Sequence, residues 1–171
     1  MASGLEQNTP TGADVFVLLG DEHRRLDGIF LSHQESVLMG DWEGAAATLA
    51  EYKALLAHHM KVEDEEVLPV YNVRVGEVPG GSAEVFRLEH RRIEKLLGEV
   101  ERRLQETSQK PTRRGTISFL DFEKMFKDYI EHHDLRERNI LYPKCQESFS
   151  AAERESVRRS WEQPSPQHRG G

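Results

Sequence analysis

The sequence predicts an all-α fold, an antiparallel up-down-up-down four-helix bundle followed by a short C-terminal helix. Apolar residues recur at three- and four-residue steps through four long stretches of the chain, and no stretch alternates as a strand does. Two short sequence blocks each occur twice at a nearly constant spacing, which indicates that the bundle is a duplicated helical hairpin. At 171 residues the chain is long enough to form one sizeable core.

The predicted organisation has four parts. Residues 1–10 are polar without a period and are expected to form a flexible arm. The four-helix bundle is expected to span residues 11–149 and the short C-terminal helix residues 150–163. The last stretch, 164–171, contains proline and glycine and is expected to be a flexible tail.

Capping residues mark the ends of the first two helices. The apolar period predicts a first helix from about residue 13 to 39, which Gly40 ends. Asp41 is suited to cap a second helix that begins at Trp42. Pro69 is expected to end or bend this helix near its last turn, because proline has no amide hydrogen to donate.

The second half of the chain has similar signals. Ser82 is expected to cap the third helix, and the polar stretch 108–115 breaks its pattern. Ser118 can cap the fourth helix. Ser150, followed three residues later by Glu153, is a capping-box signature for the C-terminal helix. Each of the four long helices would be about 40 Å long at 1.5 Å per residue.

The composition limits the classes of protein to which this chain can belong. The chain is 37% hydrophobic and 31% charged, which suits amphipathic helices that bury one stripe. A net charge of −7 without a sustained lysine and arginine stripe argues against nucleic-acid binding. No apolar run approaches the ~20 residues of a membrane span. The single cysteine, Cys145, excludes an internal disulfide, so we expect a cytoplasmic protein.

A His-x-x-x-Glu motif occurs twice with the same surroundings. It runs from His59 to Glu63 and again from His133 to Glu137, and a proline follows each glutamate by six residues. Both motif residues are displaced by 74 positions between the two copies. Residues four apart lie on one face of a helix, so each histidine projects beside its glutamate.

A second block, Glu-His-Arg-Arg, surrounds His23 in the first helix and His90 in the third, 67 positions apart. The chain therefore contains a single histidine, then His-x-x-x-Glu, and then the same order again. Glu22 and Glu89 open the two blocks, and we expect each to form a surface pair with the arginine three residues later.

Four inward-facing histidines and two glutamates in one layer of a bundle indicate a metal site. A buried carboxylate without a cation costs several kcal/mol, and a pair of metal ions removes this cost. Nitrogen and oxygen ligands without thiolate suit iron, manganese or zinc. Iron is the leading choice for a carboxylate-bridged pair inside a four-helix bundle.

This order of residues resembles the hemerythrin-like (His-His-Glu cation-binding) family over roughly residues 14–148. The resemblance implies an oxo- or hydroxo-bridged di-iron centre, with Glu63 and Glu137 as the bridging carboxylates. The implied ligands are His23, His59, Glu63, His90, His133 and Glu137.

The sequence departs from the oxygen-carrying hemerythrins at one position. Those proteins have a second histidine four residues after the ligand of the third helix, and here that residue is Glu94. We expect Glu94 to coordinate one iron; the alternatives are an exposed partner for Arg91 or Lys95, or an acceptor that orients His90. An anionic ligand stabilises the ferric state, which disfavours reversible oxygen carriage.

Other polar residues near the inward-facing positions of the helices are expected to have roles other than metal binding. His58 and His132 each precede a motif histidine by one residue and are expected to flank the site. His33 lies about 15 Å along the helix from the first candidate ligand and is expected to be a satisfied core histidine. Tyr52 and Tyr129 are expected to be core residues, with a redox role as the alternative.

Two classes of function follow. The first is a di-iron oxidoreductase that reacts with peroxide, O₂ or NO and draws on an unidentified redox partner. The second is a module that binds or senses O₂, or stores iron, without catalytic turnover. A ferritin-like oxidase is disfavoured because no histidine in the chain has a glutamate three residues before it.

Overall fold

In a computed structural model of the protein, residues 12–163 are described, and within them the secondary structure is entirely helical. The prediction of an all-α fold is confirmed. The predicted arm, 1–10, and the predicted tail, 164–171, lie outside the described residues. The helices are α1 (Val15–Met39), α2 (Trp42–Val62), α3 (Leu68–Arg74), α4 (Ala83–Gln109), α5 (Arg113–Arg136), α6 (Tyr142–Ser148) and α7 (Ala151–Glu162).

Two five-residue π-helical turns interrupt the long helices. The first, π1 (Glu63–Val67), joins α2 to α3, and the second, π2 (Glu137–Leu141), joins α5 to α6. Pro69 and Pro143 stand at the start of α3 and α6. A proline ring clashes with the carbonyl four residues earlier, so a regular α-helix cannot pass through it. The chain therefore changes its helical form before Pro69 and stays helical to the end of α3.

Most predicted caps are present. Gly40 ends α1 with φ 72°, and the Asp41 carboxylate accepts a hydrogen bond from the Gly44 amide. The capping box at Ser150 starts α7. The predicted cap at Ser118 is wrong, because the Thr112 hydroxyl accepts a hydrogen bond from the Gly115 amide and starts α5 earlier.

The apolar core has two clusters separated by a polar layer. Along α1, His23 lies between Leu19 of one cluster and Leu26 of the other. The same alternation occurs on α2, where His59 lies between Leu56 and Val62. Helix α1 packs against α2, α4 packs against α5, and further contacts join α1 to α5 and α2 to α4. Within residues 12–163, no helix combines the length and apolar character that crossing a bilayer requires.

A buried polar pair lies inside one of these clusters, away from the polar layer. His33 Nδ1 is 2.7 Å from the Ala45 carbonyl oxygen, and its Nε2 is 2.5 Å from Oε1 of Glu123. The Gln34 amide donates to the other oxygen of Glu123. Both ring nitrogens of His33 have partners, which confirms the prediction of a satisfied core histidine. Through these contacts the His33–Glu123 pair links α1, α2 and α5.

Replacing Glu123 with alanine is expected to destabilise the protein by about 3–5 kcal/mol, because it leaves His33 buried without its partner. Urea unfolding measures this loss. Asp128→Ala is the matched control on the exposed face of α5, where removing a surface ion pair is expected to change the stability by less than ~1 kcal/mol. Equal losses in the two variants would show that the buried pair contributes nothing beyond a surface pair.

Candidate metal centre

Six side chains from four long helical segments converge in the polar layer. Each of the four long helices presents one histidine to this layer, and each π turn begins with the glutamate of a His-x-x-x-Glu motif. All six residues are at most 4% exposed. They are His23 on α1, His59 on α2, Glu63 at the start of π1, His90 on α4, His133 on α5 and Glu137 at the start of π2.

The six residues form two groups of potential ligands. In each group, one ligand atom from every member lies within 4.8 Å of those of the others. Glu137 belongs to both groups: its Oε1 is 2.9 Å from Nε2 of His133, and its Oε2 is 3.1 Å from Nε2 of His23. The groups are Glu63, His90, His133 and Glu137, and His23, His59 and Glu137.

Glu63 also lies between histidines of the two groups. Its Oε2 is 3.4 Å from Nε2 of His90 and 3.5 Å from Nε2 of His59. Both distances are longer than good hydrogen bonds to nitrogen. The two glutamates therefore stand between two sets of imidazoles, as bridging carboxylates would.

The unpaired atoms of this cluster fit a pair of metal ions. Glu63 Oε2, Glu137 Oε1 and His90 Nε2 are buried and make no well-aligned hydrogen bond within residues 12–163, although His133 Nε2 lies 2.9 Å from Glu137 Oε1. Nε2 of His23 and Nε2 of His59 face each other at 3.0 Å. Two ligands that bind one ion at right angles with bonds of ~2.1 Å lie about 3 Å apart. Nitrogen and oxygen donors without thiolate also suit such an ion.

The π turns explain how each glutamate is held. The backbone amide of Leu68 donates to the Glu63 carbonyl, and that of Tyr142 donates to the Glu137 carbonyl, each across five residues. Single π turns inside α-helices are frequently found at functional sites. Here each turn begins at the proposed bridging residue and lets the chain reach the following proline.

A carboxylate lies against the outward nitrogen of three of the four imidazoles. Each of these Nδ1 atoms is 2.9 Å from its carboxylate oxygen. Such a contact places the proton on Nδ1 and leaves Nε2 free to bind a metal ion. The pairs are His59 with Glu22, His90 with Asp64 and His133 with Glu89.

The prediction that Glu22 and Glu89 form surface pairs with nearby arginines is wrong. Glu22 is buried, and the oxygen that contacts His59 also accepts a hydrogen bond from the Trp161 indole of α7. Glu89 is 3.2 Å from Arg136 and contacts a histidine of the neighbouring helix. Each glutamate precedes an inward histidine by one residue, which turns it toward the adjacent helix.

The structure does not bring Glu94 to the centre. Glu94 is exposed on α4 and belongs to neither group of potential ligands. The inward face of α4 continues from His90 through Ile93 and Leu97, which are buried, so position 94 lies to one side of it. The geometry agrees with the alternative of an exposed residue at this position.

The neighbouring histidines also stay outside the two groups. His58 Nε2 is 3.0 Å from the carbonyl oxygen of Trp161, so it anchors α7. His132 is exposed. Both positions agree with the prediction that these residues flank the site.

Tyr142 is the residue of the centre that sequence reasoning missed. Its buried hydroxyl donates to Oε1 of Glu63 at 2.7 Å and lies 3.2 Å from Oε2 of Glu137. It is also 3.4 Å from Nε2 of His23 and 3.5 Å from Nε2 of His59. Burial raises the pKa of Tyr142 well above its ordinary value, and the charges of Glu137 and Glu63 act in the same direction. In the absence of a metal ion the phenol is therefore a hydrogen-bond donor.

Tyr142→Phe is expected to destabilise the metal-free protein by about 1–3 kcal/mol, because Oε1 of Glu63 loses its donor while it stays buried. Urea unfolding of the metal-free protein measures the change. Tyr129→Phe is the matched control, since Tyr129 is only half-buried and packs at the edge of the other cluster. A loss no larger than that of the control would contradict the structural role of this hydroxyl.

Without a metal ion, the charges in the cluster balance one another. Burial alone lowers the pKa of His59, but Glu63 and Glu22 raise it to about 9. Burial likewise lowers the pKa of His133, which Glu137 and Glu89 raise to about 10. Burial raises the pKa of Glu137, but the charge of His133 and contacts with the other imidazoles hold it well below its usual range. The centre thus has imidazolium groups where a cation would otherwise compensate the glutamates.

The chain matches one family model, described as Hemerythrin HHE cation binding domain, over residues 14–145, more than three-quarters of its length. Searches of curated proteins and of solved structures give no significant match to the chain. The matched region contains both groups of potential ligands and Tyr142. Helix α7, which contributes the indole that contacts Glu22, lies beyond it.

Proposed function

Because this chain belongs to the hemerythrin HHE cation-binding family, we propose that it holds two iron ions and reacts there with peroxide, O₂ or NO. The observation that carries the proposal is the position of Glu137. One buried carboxylate faces a histidine of each group with its two oxygens, at 3.1 and 2.9 Å. In this proposal the four long helical segments form an antiparallel up-down-up-down bundle around the centre.

The two groups divide the ligands between the ions. His23 and His59 would bind one ion, His90 and His133 would bind the other, and Glu63 and Glu137 would bridge them. Glu94, exposed on α4, is not part of this set. A bound iron pair would supply electrons for the reduction of a small oxidant.

The surrounding residues support reactions of small molecules. Apolar clusters on both sides of the centre restrict water and larger substrates. Outer carboxylates fix the imidazoles that face both ions, so the ligands are held in place before an ion binds. The Tyr142 hydroxyl, 2.7 Å from Glu63, is a hydrogen-bond donor beside the reacting region. Six side-chain ligands for two ions also leave coordination positions open.

O₂ binding or sensing, or iron storage, without turnover is the second candidate. The exposed position of Glu94 favours it, because the expected anionic ligand was the reason to disfavour reversible O₂ binding. Under this candidate the same two iron ions would bind O₂ and release it unchanged.

The two candidates are separated by anaerobic loading with ferrous iron, followed by stepwise addition of peroxide or NO. The proposed reaction predicts the consumption of many equivalents per chain when a reductant is present. A spectrum that changes reversibly between oxygen and argon, without consumption of either reactant, would establish the second candidate. Oxidation that stops after one equivalent would contradict catalytic turnover.

We further propose a cytoplasmic location and a separate electron donor. Cys145 is a free, buried cysteine, which suits a reducing compartment. Continued turnover with peroxide needs two electrons for each molecule reduced to water, so a redox partner must return them.

A further inference from the structure

A cavity of about 700 Å³ lies between α1 and α5 on one side of the metal centre. Its outer part contains exposed charged residues of α5, including Lys124 and Lys127. Its inner part contains the buried residues Tyr52, Ile130 and Asp134. The cavity therefore runs from a polar surface to Asp134, whose carboxylate lies 3.7 Å from the candidate ligand His23.

Asp134 stands between the cavity and a candidate ligand. Its Oδ2 is 3.7 Å from Nδ1 of His23, which is too long for a hydrogen bond, and that Nδ1 is buried and unpaired within residues 12–163. The other three outer carboxylates lie at 2.9 Å from their histidines. Asp134 is thus the outer carboxylate that does not hold its imidazole, and it lines the cavity.

The duplication of the chain explains this difference. His90 corresponds to His23 in the repeat, and Asp64, which holds His90, corresponds by position to Arg138. Arg138 cannot accept a proton from an imidazole, and it lines the cavity instead. Asp64 therefore covers Nδ1 of His90, whereas a cavity lies at the corresponding position beside His23.

A glycine keeps part of this space open. Gly28 lies within α1 and lines the cavity, and a Cβ atom placed on it would meet no atom within 4 Å. Glycine inside a helix costs about 0.5–1 kcal/mol relative to alanine. The position thus has a conformational cost and leaves open space at the exposed, outer part of the cavity.

We propose that this cavity is the route by which hydrogen peroxide reaches the centre, and that the Asp134 side chain forms its inner gate. The inference rests on the proposed function and specifies its reactant. Peroxide needs hydrogen-bonding partners along its path, and carboxylate and phenol groups provide them. Tyr52, Asp27 and Asp134 line the same cavity, so one phenol and two carboxylates are present along it. NO and O₂ are apolar and gain nothing from this lining.

Gly28→Trp tests the proposal by filling the cavity. Its matched control is Gly98→Trp, which introduces the same side chain into α4 at another exposed glycine whose Cβ would meet no atom within 4 Å. Oxidation of the iron-loaded, reduced protein by peroxide is followed by stopped-flow absorption. We expect the second-order rate constant to fall at least tenfold in Gly28→Trp and to stay at the wild-type value in the control. The NO-binding rate is expected to stay unchanged in both.

The opposite results would overturn the inference. A wild-type peroxide rate in Gly28→Trp shows that peroxide enters elsewhere, and an equal fall in the NO rate shows that the cavity does not select for peroxide. Leu31→Trp, at an exposed residue of the same cavity, replaces Gly28→Trp if that variant does not fold.

Azide binding to the oxidised protein provides a measurement that is independent of turnover. We expect its association rate to fall in Gly28→Trp and not in Gly98→Trp, while the iron content stays at two per chain. If the wild-type protein reacts with NO or O₂ but not with peroxide, the inference about the reactant is overturned. If it reacts with none of the three, the proposed function fails, and the azide rates still decide whether the cavity leads to the centre. Equal azide rates in the two variants would contradict the route itself.

Discussion

Glu137→Gln is expected to reduce the iron content of the protein from two ions per chain to nearly none. Glu137 faces both groups of potential ligands, so its loss affects both ions at once. The amide has almost the same shape but no negative charge, and it offers a single acceptor oxygen. Elemental analysis after anaerobic ferrous loading and desalting measures the remaining iron.

Glu94→Gln makes the same chemical change on an exposed face of α4 and serves as the control. We expect this variant to keep two iron ions per chain and to retain the wild-type absorption spectrum. Two irons in Glu137→Gln would contradict the assignment of Glu137 as a bridge. Loss of iron from Glu94→Gln would show instead that Glu94 turns inward when metal binds.

Removal of the metal is expected to lower the melting temperature by about 10 °C or more at neutral pH, since the binding free energy of the ions also stabilises the fold. Metal-free protein should then lose further stability as the pH rises. The folded-state pKa values of His59, His133 and His90 are about 9, 10 and 12, against an ordinary 6.5. Protonation of these imidazoles stabilises the fold fully below pH 6.5, and this contribution is lost as the pH rises through 9 to 12.

At acid pH the dependence of the stability on pH has the opposite sign. The pKa of Glu137 lies well below its ordinary 4.5, so the charge of this carboxylate stabilises the fold above that pH and loses its effect as the pH falls through the folded-state pKa. Metal-free protein should therefore be most stable between about pH 5 and 7. Bound ions replace the imidazolium protons, so metal-loaded protein should show a weaker dependence in the alkaline range and should release protons when it loads.

Melting curves from pH 6 to 10, with and without a chelator, check both expectations. Equal melting temperatures for the two forms would show that the buried glutamates need no cation. A metal-free protein that becomes more stable toward pH 10 would contradict the imidazolium–carboxylate pairing in the centre.

The main features of the centre could be predicted from the sequence because they depend on spacing within single helices. His59 and Glu63, like His133 and Glu137, lie four residues apart, and regular helical geometry places such pairs on one face. The repeated Glu-His-Arg-Arg block identified His23 as the remaining histidine of the first half. The family match over residues 14–145 confirms the resemblance.

Tyr142 could not be found in this way because a π turn changes the helical phase. On a regular α-helix, residue 142 points away from Glu137, whereas across a π turn the residue five positions later returns to the same side. The sequence signal is the proline six residues after each glutamate. For Pro69 it predicts an end or a bend of the helix, whereas the structure has a change of helical form before this residue.

The roles of Glu22 and Glu94 depend on neighbouring helices, which spacing along one helix does not reveal. Glu22 is buried because His59 and Trp161, on two other helices, both donate to it. The expectation that Glu94 binds iron rests on its four-residue spacing from His90 and on the histidine that oxygen-carrying hemerythrins have at this position. The burial of Ile93 and Leu97 fixes the rotation of α4 and leaves Glu94 in solvent.

Anaerobic titration of the metal-free protein with ferrous iron, followed by elemental analysis and an absorption spectrum after oxidation, tests the central claim most directly. Two carboxylate-bridged ligand groups predict two irons per chain and near-ultraviolet bands of an oxygen-bridged ferric pair. Binding of a single ion, or of none, would contradict a centre in which Glu63 and Glu137 join two metal ions.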